Sequence, residues 1–147
     1  LEFARQLGAD HTVNCGDQNF LEAIMHLTDG IGPDIVVEAA GTEESANQAI
    51  SAVKRMGKLV HFGQMKDDVI RYDFATAFDK NLDCIFTASS RAGLMKWAVT
   101  QSVAMMEKGS LDLSSLVTHQ LPFTELQDAY DMFTDRKNDV IKIVVSI

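Results

Sequence analysis

The chain has 147 residues, 46% of them apolar and 23% charged, values of an ordinary globular domain that exclude long disorder, a collagen-like repeat and a disulfide-dense scaffold. Thirteen basic residues against twenty-one acidic ones leave a net charge of −8, so nucleic acid is excluded as a first choice of partner because its phosphates are repelled on average. Cys15 and Cys84 stand alone and far apart, as reduced thiols of a cytoplasmic protein do, and no apolar run approaches the roughly 20 residues of a membrane span.

Helical and extended patterns alternate along the chain. Residues 1–7 read as an amphipathic helix with Phe3, Ala4 and Leu7 on one side, stopped by Gly8. No capping residue precedes it, which predicts that the chain starts inside an element of a longer protein. Residues 11–15 are a predicted strand, and residues 20–28 a helix with Phe20, Ile24 and Leu27 on one face. Residues 34–38 are nearly all apolar at their centre, as in a parallel strand covered on both faces. Thr42 is the predicted cap of the next helix, with Glu43 and Glu44 in its first turn and Lys54 and Arg55 in its last. Residues 58–63 are a strand, and residues 64–81 are less regular, with an extended piece at 69–72. Residues 82–87 are a further strand and residues 91–108 a long helix. The tail reads as an extended segment over 116–121 closed by Pro122. A Thr-x-x-Gln capping box at Thr124 and Gln127 then opens a helix with Leu126, Ala129, Tyr130 and Phe133 inward. Residues 139–147 are the last strand.

Strands alternating with helices imply right-handed crossovers and a parallel sheet, an α/β fold. In such sheets ligands bind outside the carboxyl ends of the strands. Three such ends are visible: Glu38, Ala39, Ala40, Gly41 and Thr42; Phe62, Gly63 and Gln64; and residues 85–90. Small residues there let a ligand approach the backbone, and a helix starting at Thr42 offers free N–H groups. No G-x-G-x-x-G occurs, and no acidic residue is assignable to a ribose. His11, His26, His61 and His119 show no ligand-type spacing, and neither cysteine has a nearby partner, so no metal-ligand set is read in this chain.

Residues 1–11 (LEFARQLGADH), 33–41 (PDIVVEAAG) and 57–63 (GKLVHFG) come in a telling order. With 118–123 (THQLPF) and 128–133 (DAYDMF), they resemble the C-terminal part of a zinc-dependent alcohol or polyol dehydrogenase of the medium-chain dehydrogenase/reductase superfamily. The resemblance implies a partial Rossmann-type doubly wound parallel sheet, strands three to six, over residues 1–110. Residues 111–147 would then be a C-terminal β-α-β return to the catalytic domain. It implies the cofactor-binding part of an oxidoreductase that moves hydride between NAD or NADP and a small-molecule alcohol or carbonyl substrate. Catalytic residues and zinc ligands are expected outside this chain.

By the same resemblance, Ala39, Ala40, Gly41 and Thr42 lie beside the adenosine half of the cofactor. Phe62, Gly63, Gln64, Cys84, Ile85 and Phe86 meet the nicotinamide carboxamide. Lys142 reaches the pyrophosphate, where family members often carry Arg and its bidentate fork. His119 is expected to link the domains. Thr87 and Ala88 stand where sorbitol-dehydrogenase-like members carry Arg-Tyr, which argues against a polyol. The edge strand at 82–86 is expected to pair copies into a homo-oligomer, with neither nucleic acid nor membrane as partner. Two further readings stay open: a zinc-free quinone or enoyl reductase of the same superfamily, and a non-catalytic nucleotide-binding module.

Overall fold

The computed structural model describes residues 1–87, 93–135 and 139–147. The chain divides into two compact units, Leu1–Ala88 and Ser89–Ile147.

In the first unit the order is α1 (Glu2–Gln6), α2 (Phe20–Leu27), β1 (Ile35–Glu38), α3 (Glu43–Ala52), β2 (Lys58–His61), α4 (Phe74–Asp79) and β3 (Asp83–Phe86). The strands form one parallel sheet in the order β1-β2-β3, as the alternation of elements predicts. Residues paired across a parallel ladder share a face. Val36, Leu59 and Cys84 therefore form one row, and Glu38, His61 and Phe86 the next. The covered face meets α3 and α4. Ala49 and Ile50 of α3 and Ala77 of α4 close on Leu59, with Val36, Tyr72, Leu82 and Cys84 at the margin. Alanines let the helix approach the strands, and the fully buried Ile50, Leu59 and Val53 supply the volume.

The other face departs from expectation. Ile35 and Val37 are each 59% exposed, so the strand predicted to be covered on both faces is covered on one. Crossovers that step along a sheet in one direction put their helices on one side, and α3 and α4 pack on each other there. Residues 11–15 are a second correction: they join no ladder. A strand exists only with a neighbour to accept its hydrogen bonds, and these residues find none among those described. Strand three of the expected set is thus absent, and strands four to six are β1 to β3.

The irregular stretch at 64–81 contains α4. Asp73 caps it by accepting from the Thr76 N–H at 3.1 Å. Residues 69–72 form no strand. Instead the segment is clamped to α3: the Arg71 N–H donates to Glu43 Oε2 at 2.8 Å, the Asn47 amide donates to the Arg71 carbonyl at 3.0 Å, and the Asp73 N–H donates to Asn47 Oδ1 at 2.8 Å.

α3 ends at Ala52, one turn earlier than predicted. Lys54 lies beyond the helix and pairs with Asp34, and Arg55 donates to the Asp79 carbonyl. The helix end is instead served by Lys80, whose ammonium donates to the carbonyls of Ile50, Ser51 and Val53. In the following turn Met56 is 76% exposed and holds φ at 58°. That left-handed conformation costs an L-residue roughly 1–2 kcal/mol. Met56→Gly should therefore stabilise the chain by up to about 1 kcal/mol after the entropy of the unfolded glycine is deducted, visible as a rise in Tm.

In the second unit α5 (Met95–Glu107) is followed by a 3-10 turn at Ser114–Leu116, β4 (Val117–Pro122), a 3-10 turn at Phe123–Glu125, α6 (Leu126–Thr134) and β5 (Lys142–Ser146). The start of the helix predicted over 91–108 lies outside the described residues. β4 and β5 pair in parallel, the expected β-α-β. Thr118 ties them, its Oγ1 accepting from the Ile141 N–H at 3.0 Å and donating to the Lys142 carbonyl at 3.2 Å.

The predicted capping box does not form. Thr124 sits inside the 3-10 turn that runs into α6, so it lacks the extended backbone of a cap, and Gln127 bonds Asp131 instead. Ala129 alone of the predicted inward set is buried, while Tyr130 and Phe133 are exposed. These side chains line an apolar groove of about 380 Å³ against Ile143 and Val145 of β5 and Ile141 just before it.

Candidate functional site

The carboxyl ends of β1, β2 and β3 lie level because the register pairs Glu38 with His61 and His61 with Phe86. At the first end Glu38 is buried and its carboxylate folds back into the turn that follows. Its Oε1 accepts from the Ala40 N–H, the Gly41 N–H and the Ser45 hydroxyl, each at 2.7 Å. Thr42 caps α3 as predicted, in a reciprocal box with Ser45. The amides of this turn are therefore occupied by an internal anion. The Ala40 and Gly41 amides are thus taken, while Ala39 and Ala40 are themselves exposed small residues at the strand end.

Burial works to raise the Glu38 pKa, but the Ser45 hydroxyl, the Gly41 and Ala40 amides and the neighbouring His61 together hold it below the ordinary value of 4.5. A carboxyl depressed in the folded chain lends stability that is complete above its unfolded pKa and is lost as pH falls through its folded one. Acid unfolding followed by circular dichroism should therefore show a loss of stability below pH 4.5 that is weaker in Glu38→Gln, which has no charge to lose.

The second end crosses over the first. The N–H groups of Phe62 and Gly63 both donate to the Glu38 carbonyl, at 2.9 and 2.8 Å, and the Lys66 N–H donates to the Gly41 carbonyl at 3.3 Å. Gly41 holds φ at 69°, and a Cβ there would lie 2.2 Å from the Gln64 carbonyl oxygen. A Cβ on Gly63 would lie 2.5 Å from the Gly41 nitrogen and 2.8 Å from Glu38 Oε2. The two glycines interlock the turns backbone to backbone.

At the third end the N–H and hydroxyl of Thr87 donate to the His61 carbonyl at 3.0 and 3.2 Å. The Phe86 ring stacks on His61 with centroids 4.8 Å apart. The His61 Nε2 meets the Tyr72 hydroxyl at 3.0 Å, and that hydroxyl meets the Cys84 thiol at 3.7 Å. Burial pushes the His61 imidazole down, with Glu38 pulling the other way, and burial with Cys84 pushes the Tyr72 phenol up. Neutral forms of both follow near pH 7.

The structure thus brings together Ala39, Ala40, Gly41, Thr42, Phe62, Gly63, Gln64 and Phe86. Phe62 and Phe86 are largely exposed and present flat apolar surface beside the interlocked turns. Cys84 sits one row back on the covered face, and Ile85 faces the opposite side of the sheet. Ala88 and residues 89–90 lie outside the described residues. Lys142 belongs to the second unit, where it opens β5 opposite Val117. The sequence reading placed Glu38 at the strand end without a role and assigned none to Ser45, His61 and Tyr72, which with it form the polar frame of the site. The available signal was a carboxylate ending an apolar strand just before three small residues. Among the described residues no three His, Cys, Asp or Glu side chains gather as metal ligands do. Both cysteines are free. No helix among those residues is long and apolar enough to cross a membrane.

The zinc-binding dehydrogenase family matches residues 1–108. An erythritol/L-threitol dehydrogenase of Mycolicibacterium smegmatis is 30% identical over 95% of the chain and 37% of its own length. An alcohol dehydrogenase of Cupriavidus necator is 32% identical over 99% of the chain and 39% of its own length. Among solved structures, an alcohol dehydrogenase from Thermus sp. ATN1 superposes on the whole chain with a TM-score of 0.84 at 25% identity, over 41% of its own length. The chain therefore spans about two-fifths of the length of the relatives it matches.

Proposed function

The chain belongs to the zinc-binding dehydrogenase family, and on that premise we propose that it is the cofactor-binding part of an NAD- or NADP-dependent oxidoreductase acting on an alcohol or its carbonyl. The observation that carries the reading is the set of interlocked turns at the carboxyl ends of three parallel strands, with Ala39, Ala40, Phe62 and Phe86 exposed around them. That is where an open α/β sheet binds a nucleotide. A backbone that close and that flat fits the uncharged nucleoside portions.

Ala39, Ala40 and Thr42 line the adenosine side in this reading. Phe62, Gly63, Gln64 and Phe86 line the nicotinamide side, with Cys84 and Ile85 behind them on β3. Lys142 is the cation assigned to the pyrophosphate, on the resemblance to the family alone. Bound nicotinamide supplies the carbon that takes or gives hydride; the residues of this chain bind it, orient it and hold its turn rigid. Zinc, which the family name implies, does not fit the side chains described, and its ligands are assigned to residues outside this chain. Residues 1–110 are assigned to the cofactor domain and residues 111–147 to the catalytic domain. Among the described residues the outer edge of β3 has no partner strand in the sheet, and a second copy would pair with it. The protein is assigned to the cytoplasm.

The test is to supply the full-length protein that carries this chain with NAD⁺ or NADP⁺ and a panel of short alcohols, polyols and aryl alcohols, following the absorbance of the reduced nicotinamide. Reduction with one dinucleotide, abolished by a zinc chelator and restored by zinc, is expected. Turnover of quinones or enoyl substrates alone, indifferent to chelation, would overturn the alcohol reading in favour of a zinc-free reductase.

A further inference from the structure

Glu38, His61 and Phe86 form one row across the sheet, each the last residue of its strand. Glu38 and His61 are both only 4% exposed, where ionisable groups are seldom found without full pairing. Neither is fully paired. Among the described residues Glu38 Oε1 carries three hydrogen bonds and its Oε2 none, while His61 bonds Tyr72 through Nε2 and its Nδ1 has no partner. An open acceptor and an open imidazole nitrogen thus lie buried on neighbouring strands at one level.

We propose that Glu38 and His61 are a positioning pair for the cofactor, in which the proton count on His61 sets the shape of the turn at residues 39–42 and of the end of β3. The inference rests on the cofactor-binding reading above. Each member of the pair governs a different wall of that site. Glu38 holds the Ala40 and Gly41 amides and the Ser45 hydroxyl. His61 holds Phe86 by stacking and, through Tyr72, reaches Cys84. Tyr72 is itself fixed, because Arg71 and Asp73 on either side of it are clamped to α3. The groups that face His61 are Glu38 from β1, Tyr72 from the segment before α4, and Phe86 on β3, with Cys84 one bond further on. From α3 the side chain bonded to Glu38 is the neutral Ser45 hydroxyl. Glu38 is the single charge in this set.

The field of the carboxylate favours the tautomer with the proton on Nδ1. Nε2 then accepts from the Tyr72 hydroxyl, whose oxygen accepts from the Cys84 thiol. Uptake of one proton at Nε2 reverses that chain: Nε2 donates to the Tyr72 oxygen, and the Tyr72 hydroxyl turns to the Cys84 sulfur. The imidazolium now attracts Glu38 through its open oxygen and draws the carboxylate away from the Ala40 and Gly41 amides. Both walls shift on one proton, and the form with a neutral His61 beside the Glu38 carboxylate is the one that binds.

The test uses the full-length protein. Affinity for NADH and NADPH is titrated by the fluorescence of the reduced nicotinamide between about pH 5 and 8, the range in which a histidine changes charge. Affinity is expected to fall about tenfold toward the acid end, with KM moving more than kcat. His61→Gln can still bond Tyr72 but never charges, and should flatten the profile. Glu38→Gln keeps an acceptor for the three bonds but removes the charge that favours the imidazolium, so the step should move to lower pH. A purely structural role would lower the stability of both variants and displace no pH step. Nuclear magnetic resonance of the His61 ring in the unsubstituted protein gives a second reading, and cofactor should move its titration to lower pH. An affinity constant with pH, a step that survives in His61→Gln, or a ring titration indifferent to cofactor overturns the pair and leaves the cofactor reading standing. Failure of the unsubstituted protein to bind either dinucleotide at any pH overturns both.

Discussion

Gly41→Val should cost the folded chain roughly 3–5 kcal/mol, at the upper end of what single substitutions do, and should abolish saturable cofactor binding in the full-length protein. The left-handed φ of 69° penalises any L-residue by roughly 1–2 kcal/mol, and a β-branched side chain more. The larger part is collision. A Cβ would stand 2.2 Å from the Gln64 carbonyl oxygen, which is backbone and cannot rotate aside. Relief requires the turns after β1 and β2 to part. Parting them breaks the Lys66 to Gly41 bond and misaligns the Ala40 and Gly41 amides on Glu38, and a charge-assisted bond of that kind contributes about 1.5–3 kcal/mol. Thermal melting gives the stability and cofactor titration the binding. Ala40→Val separates the two effects, since Ala40 is exposed: its cofactor KM should rise while its stability stays within about 0.5 kcal/mol of the parent's. A Gly41→Val protein that melts like the parent would sink the interlock, and an Ala40→Val protein with the parent's KM would remove this turn from the cofactor site.

What was readable in the sequence divides by the range of the interactions. The parallel sheet was legible because strand and helix periodicities are local and their alternation restricts the topology. The Thr42 cap was legible because its partner, Ser45, lies within the same turn. Coverage of the strands was misjudged because an apolar run records what a strand tolerates on each face and not which helices the chain places there. Thr124 has the residues of a cap, but the preceding Pro122 and Phe123 lead into a tighter turn. The strand ends could be singled out as the candidate site because small residues after a strand are a local signal. Their polar frame could not, because Glu38 reaches partners in the next helix and His61 bonds a tyrosine eleven residues on, pairings that only the folded loop creates.

The same limit explains the end of α3 and sets the second large effect, Lys80→Met. Dipole reasoning assigned the last turn to Lys54 and Arg55, the basic residues next in sequence. The structure gives the place to Lys80, whose ammonium donates to Ile50 at 3.1 Å, Ser51 at 2.7 Å and Val53 at 2.8 Å. Its three donors meet three carbonyls that α3 cannot satisfy internally. Ile50 and Val53 are fully buried and Ala52 nearly so, so water cannot readily replace the ammonium. Methionine keeps the length and apolar stem of the side chain and removes only the donors. The expected loss is about 2–4 kcal/mol, the order of stranding buried acceptors that had a charged partner, read as a lower Tm. Lys80→Arg should recover only part of it, because a planar guanidinium cannot turn its donors onto three carbonyls converging on one point. Because α3 carries Thr42 and Ser45 at its other end, the loss should extend to the site, and cofactor affinity in Lys80→Met should fall with stability. Full stability in Lys80→Met would show that the α3 carbonyls find other donors, and would return the helix end to Lys54 and Arg55.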